Sequence, residues 1–79
     1  YPNPFNPSTR IDFVLPSAGY ATLKVFNTLG AEVAILVSGE LSGGRHTMEW
    51  RPGSLASGVY FYRLTAGPFS ETRQLVLLK

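Results

Sequence analysis

Apolar and polar residues alternate in short runs along the chain. Ile11, Phe13 and Leu15 alternate with Arg10, Asp12 and Val14 over residues 9–15, the period-two pattern of a strand buried on one face. Pro16-Ser17-Ala18-Gly19 breaks this run. Over residues 20–27, Ala21, Leu23 and Val25 share one face, and Tyr20, Thr22, Lys24 and Phe26 the other. Asn27-Thr28-Leu29-Gly30 reads as a turn, with Gly30 supplying a positive φ. Residues 31–38 form a third run, apolar on both faces through Val33-Ala34-Ile35-Leu36-Val37. Its β-branched content and shortness favour strand over helix. Residues 39–44 read as a loop. Residues 45–51 set His46, Met48 and Trp50 against Arg45, Thr47 and Glu49. Arg51-Pro52-Gly53 ends that run, and Leu55-Ala56-Ser57-Gly58 makes a short corner. Residues 59–66 place Tyr60, Tyr62 and Leu64 opposite Val59, Phe61, Arg63 and Thr65. After Gly67-Pro68, residues 69–79 form the last strand, with Leu75, Val76, Leu77 and Leu78 apolar on both faces.

Glycines fall mostly about nine to eleven residues apart, the turn spacing of a sandwich or barrel. Six or seven strands joined by short hairpins predict an all-β, two-sheet antiparallel sandwich. The strand phases predict that Ile11, Phe13, Leu23, Val25, Trp50, Tyr60, Tyr62 and Leu64 line its inner faces. Gly58, at the corner before the most regular strand, is expected to need positive φ or close backbone approach. Tyr60 is expected to be buried with its hydroxyl paired.

At 79 residues the chain holds one domain. It has no cysteine and one histidine, which excludes a disulfide framework, a cysteine zinc site and a multi-histidine metal cluster. A net charge of +2 with 15% charged residues is too small and too scattered for a nucleic-acid interface. No apolar run approaches the roughly 18 residues of a membrane span. No charged n-region and apolar h-region open the sequence, so a Sec leader is not expected within this segment.

Candidate chemistry is sparse. A catalytic triad would have to use His46 with Asp12 or a glutamate, and no Gly-x-Ser-x-Gly elbow accompanies them. The five carboxylates are spread over five segments, which supports neither an acid–base pair nor a calcium cage. Ser42-Gly43-Gly44-Arg45-His46 has the composition of an anion nest, but a hairpin turn accounts for it. Tyr20, Phe61 and Phe69 are candidates for stacking on sugar rings, with cross-strand packing the competing explanation. No enzyme, metal or cofactor is expected. Tyr1-Pro2-Asn3-Pro4-Phe5-Asn6-Pro7 cannot enter a central strand. It reads as a stiff, turn-rich lead-in over residues 1–8, with Phe5 available to plug the end of a sandwich spanning residues 9–79.

Four stretches together carry a family resemblance. Pro2, Asn3, Pro4, Phe5, Asn6 and Pro7 open it, followed by Ile11, Phe13 and Leu15-Pro16. Leu23-Lys24-Val25-Phe26-Asn27-Thr28-Leu29-Gly30 continues it. Leu55-Ala56-Ser57-Gly58-Val59-Tyr60 then carries a Gly-x-Tyr motif, and the basic, apolar stretch 72–79 closes it. The sequence resembles the type A C-terminal sorting domain of the type IX secretion system. It is also similar to the immunoglobulin-like module of the flagellar hook-capping protein.

The resemblance implies a small immunoglobulin-like β-sandwich of about seven strands, placed behind an N-terminal exported cargo. It implies transit through the periplasm, recognition by an outer-membrane translocon, and delivery to the cell surface or medium. It further implies cleavage upstream of Tyr1 by a sortase-like signal peptidase. The chain's end in a strand fits sorting, and Leu75, Val76, Leu77, Leu78 and Lys79 are the residues expected to be recognised. The competing reading is a structural or carbohydrate-binding accessory module of immunoglobulin-like fold, a hook-cap type domain included.

Overall fold

A computed structural model of the chain describes residues 8–78. They form six strands, β1 (Thr9–Leu15), β2 (Gly19–Phe26), β3 (Glu32–Leu41), β4 (Gly44–Trp50), β5 (Gly58–Ala66) and β6 (Phe69–Leu77). Two antiparallel sheets result, β1-β4 and β3-β2-β5-β6. Strand number thus falls at the lower of the two expected values among the described residues. The chain changes sheet after β1, β3 and β4, so the small sheet joins segments far apart in sequence, from Thr9↔Trp50 to Leu15↔Gly44.

The alternation read from sequence places the core. Ile11, Phe13 and Leu15 from β1 meet Ala21, Leu23 and Val25 from β2, and Trp50, Tyr60, Leu64 and Leu77 complete the cluster. Ala21, Leu23 and Val25 are fully enclosed. Tyr62 departs from its expected burial. It packs against the core but stays partly exposed.

β3 runs three residues past its expected end, through Gly39, Glu40 and Leu41, which pair with Ala21, Tyr20 and Gly19. The expected loop is therefore confined to the residues between Leu41 and Gly44. Two register shifts, between Leu23/Lys24 and between Val25/Phe26, interrupt the β2–β3 ladder. Each inserts an extra β3 residue, Leu36 and then Val33. A bulge resets which side chains face inward, and Val33, Ala34, Leu36 and Val37 all pack against the core. Ile35, opposite Lys24, is left 56% exposed. The run that looked apolar on both faces is thus mostly turned to one side.

The 27–30 turn forms as expected. Gly30 has φ 86° and donates its N–H to the Asn27 carbonyl at 3.0 Å. The Asn27 side-chain oxygen accepts from the N–H groups of Leu29 (3.0 Å) and Ala31 (2.9 Å), an Asx arrangement that closes the turn locally.

Candidate functional site

The residues that would have to assemble for catalysis are kept apart. The His46 ring stacks on Phe13, with centroids 5.3 Å apart, and its Nε2 is 2.7 Å from the Ser42 carbonyl oxygen. Asp12 projects from the other face of the small sheet. It accepts from Thr47 Oγ1 at 2.7 Å and from Arg10 Nε at 3.3 Å. The Thr47 hydroxyl, then Arg10, hold its carboxyl below the usual range. Glu49 is likewise lowered, first by the Ser8 hydroxyl at 2.8 Å and then by Arg51. Both carboxylates are exposed surface groups. The 42–46 segment is a strand entry in which His46 is bonded to a backbone carbonyl. Among the described residues, no group of acidic or histidine side chains is arranged to hold a metal.

The aromatic candidates do not form a row. Tyr20 and Phe61 lie on the outer face of the four-stranded sheet, whereas Phe69 packs against the core. Phe61 pairs across the ladder with Phe26, and the Arg63 guanidinium covers the Phe26 ring at 4.8 Å. At the far end of β2, the Tyr20 hydroxyl is engaged with Ser38 Oγ at 2.7 Å. These are the cross-strand contacts of a stable sheet face.

The corner before β5 is built on Gly58 and Tyr60. The Tyr60 ring is buried and its hydroxyl donates to the Ala56 carbonyl at 2.7 Å, as expected from its place in the strand. Gly58 has φ 153°, so the expected positive φ is present. The expected close approach is absent, because a Cβ on Gly58 would meet nothing within 4 Å. Close approach occurs instead at Gly43, where a Cβ would lie 3.2 Å from Ser17 Cα and 3.3 Å from the Ala18 nitrogen. The Gly43-Gly44 pair was the only sequence signal for it, and it pointed equally well to a turn.

The remaining candidate surface is β6, which among the described residues pairs only with β5 and forms one edge of the larger sheet. Its last residues divide by face. Leu77 is buried and Leu75 packs against the core. Val76 is 53% and Leu78 77% exposed. Of the four leucine and valine side chains in this apolar stretch, two therefore close the sandwich. Period-two geometry turns the other two outward. Nearer its start, β6 carries Glu71 and Arg73 on the inward-facing side, joined at 2.9 Å. The hydrogen bond and charge of Glu71 raise the Arg73 pKa. Pro2, Asn3, Pro4, Phe5, Asn6, Pro7 and Lys79 lie outside the described residues. Sequence reasoning singled out the apolar end of β6 but missed its charged half, for which the Glu-x-Arg spacing was the available signal.

The family model of the secretion system C-terminal sorting domain matches residues 1–78. That span contains every stretch on which the sequence resemblance rested, save Lys79. No curated protein and no solved structure matches the chain.

Proposed function

The chain belongs to the secretion system C-terminal sorting domain family, the signal that routes exported cargo through type IX secretion to the cell surface or medium, and on that premise we propose that the outer-membrane translocon reads it at the C-terminal half of β6. The recognised residues are Leu75, Val76, Leu77, Leu78 and Lys79. One observation carries this reading. The strand is anchored by Leu77 at 3% exposure while Val76 and Leu78, on either side of it, stand 53% and 77% exposed. An edge strand with one face fixed in the core and apolar side chains presented outward suits strand addition, in which backbone bonds supply affinity and alternate side chains supply specificity.

In this reading residues 1–8 are the lead-in between cargo and the sandwich of residues 9–79. A sortase-like peptidase removes the domain by cutting on its N-terminal side once the cargo has crossed. Gly30, Gly58 and Tyr60 act by shaping the sandwich. Its partners are the cargo it follows, the translocon and that peptidase. No catalytic step is assigned to its own side chains.

The test separates recognition from folding. Val76→Asp and Leu78→Asp alter exposed side chains, so the domain keeps its circular dichroism spectrum and melting behaviour. Fused to a periplasm-directed fluorescent cargo in a host with type IX secretion, each variant leaves cargo in the periplasm. Normal export of the folded variants would show that the translocon reads another surface.

A further inference from the structure

The front half of β6 is complementary to itself. In an antiparallel pair formed by two copies about Thr72, residue 71 of one copy faces residue 73 of the other. Glu71 then faces Arg73 twice, once on each side of the axis. Thr72 faces Thr72, Ser70 faces Gln74, and Phe69 faces Leu75. Opposite charges, Thr–Thr and aromatic–aliphatic pairs are each favourable directly across an antiparallel ladder. A two-fold axis normal to the sheet keeps inward-facing residues inward in both copies, so Phe69 and Leu75 remain beside the core they pack on.

The edge is available for this. Among the described residues β6 has β5 on one side and no strand on the other, and the groove between it and β1 is an open volume of about 450 Å³. The Glu71 and Arg73 side chains are hydrogen-bonded only to each other among the described residues. The other edges are less suited. β3 carries two bulges and two acids, Glu32, which Lys24 already holds at 3.4 Å, and Glu40, with no basic residue on the strand to face them in a second copy, features that discourage edge pairing. β1 carries Arg10 and Asp12 two residues apart and β4 carries Arg45 and Glu49, but Asp12 is engaged across the ladder by Thr47 and Glu49 by Ser8. A β4 pair about Thr47 would also have to seat the buried Trp50 against Gly44 at each end.

We propose that two copies of this chain associate through β6, residues 69–75 pairing antiparallel about Thr72 to join two four-stranded sheets into one. The contact is isologous and closes on itself. It involves a single strand edge, well below the roughly 1,200 Å² of stable interfaces, so association is weak and concentration-dependent. Of the residues proposed above to be recognised, Leu75 falls at the end of the paired stretch, while Val76 and Leu78 lie beyond it and stay free; this inference does not require that recognition.

Sedimentation equilibrium of the 79-residue chain over about 10 μM to 1 mM tests it. Reversible dimerisation is expected. Glu71→Arg alone and Arg73→Glu alone each place like charges across both contacts, and each weakens association about tenfold. The double reversal Glu71→Arg with Arg73→Glu restores it to within about threefold. Circular dichroism checks that all three variants are folded, Arg73 being exposed and Glu71 half-exposed. A monomer throughout, single reversals without effect, or a double reversal that fails to restore association would overturn the proposal. So would a dimer that does not redistribute on dilution, because exchange of whole strands, not edge pairing, would then hold it.

Discussion

The Tyr60 hydroxyl donates to the carbonyl of Ala56, four residues earlier, across 2.7 Å. The bond ties the corner at residues 55–58 to the strand that follows it. The ring is buried and the hydroxyl sits at the corner, so one side chain both fills core volume and fixes how the chain enters β5. Tyr60→Phe keeps the ring and loses the bond, and is expected to cost about 1 kcal/mol. Tyr60→Ala also opens a cavity, and is expected to cost about 3–5 kcal/mol. Urea unfolding midpoints of the two variants check the split. Equal losses would show that the bond contributes and the packing does not.

Trp50 ends β4 at 6% exposure, opposite Thr9. Its replacement by alanine should remove about 3–5 kcal/mol, a large share of the roughly 5–15 kcal/mol that holds a small domain together. The measurement is chemical denaturation. A loss below about 1 kcal/mol would place the Trp50 ring outside the core.

Gly58 and Gly43 should respond to substitution for different reasons. Gly58→Val meets open space but forces a side chain onto φ 153°. Backbone strain of this kind costs about 1–3 kcal/mol, so the variant is destabilised but folded, a milder outcome than a steric clash would give. Gly43→Ala has to push back the Ser17 and Ala18 backbone, 3.2 and 3.3 Å away. Its expected loss is about 1–3 kcal/mol, accompanied by shifted amide resonances at residues 17 and 18. Thermal melts with amide spectra of both variants distinguish strain at a residue from displacement of its neighbour.

Asp12 gives a pH-dependent test. Thr47 and Arg10 lower its pKa below the ordinary 3.8, so its contribution to stability is present above that value and is lost as pH falls through the lower folded-state pKa. Glu49, lowered by Ser8 and Arg51, acts in the same direction from its ordinary 4.5. Thr47→Val removes the largest cause at Asp12. A carboxyl-carbon NMR titration should show the Asp12 midpoint moving up toward the ordinary value in that variant. An unchanged midpoint would assign the shift to the arginines, Arg10 and then Arg45.

Much of this architecture was legible from alternation alone. The β1, β2 and β5 phases follow directly from single-face hydrophobicity, because each of these strands packs one face on the core and shows polar or mixed residues on the other. β3 was harder. Its apolar run hides two bulges, and a bulge has no local sequence mark when the extra residue is itself valine or leucine. Its extension through Glu40 is likewise dictated by the partner strand β2, not by its own composition. The recognition surface was half legible. The apolar stretch Leu75–Leu78 was visible, but which of its side chains point outward depends on the β5–β6 register, Gly58↔Leu77 to Ala66↔Phe69. That β6 is an edge depends on topology, which no local pattern encodes.

Residues 1–79 are expected to be sufficient to send a passenger out of the cell. The direct measurement is the fraction of a periplasm-directed fluorescent cargo, carrying residues 1–79 at its C-terminus, that reaches the surface or medium of a host with type IX secretion. The same fusion is followed in that host with its translocon deleted. Export in the first and periplasmic retention in the second is the predicted result. Retention in both, with the fused domain folded, would contradict it.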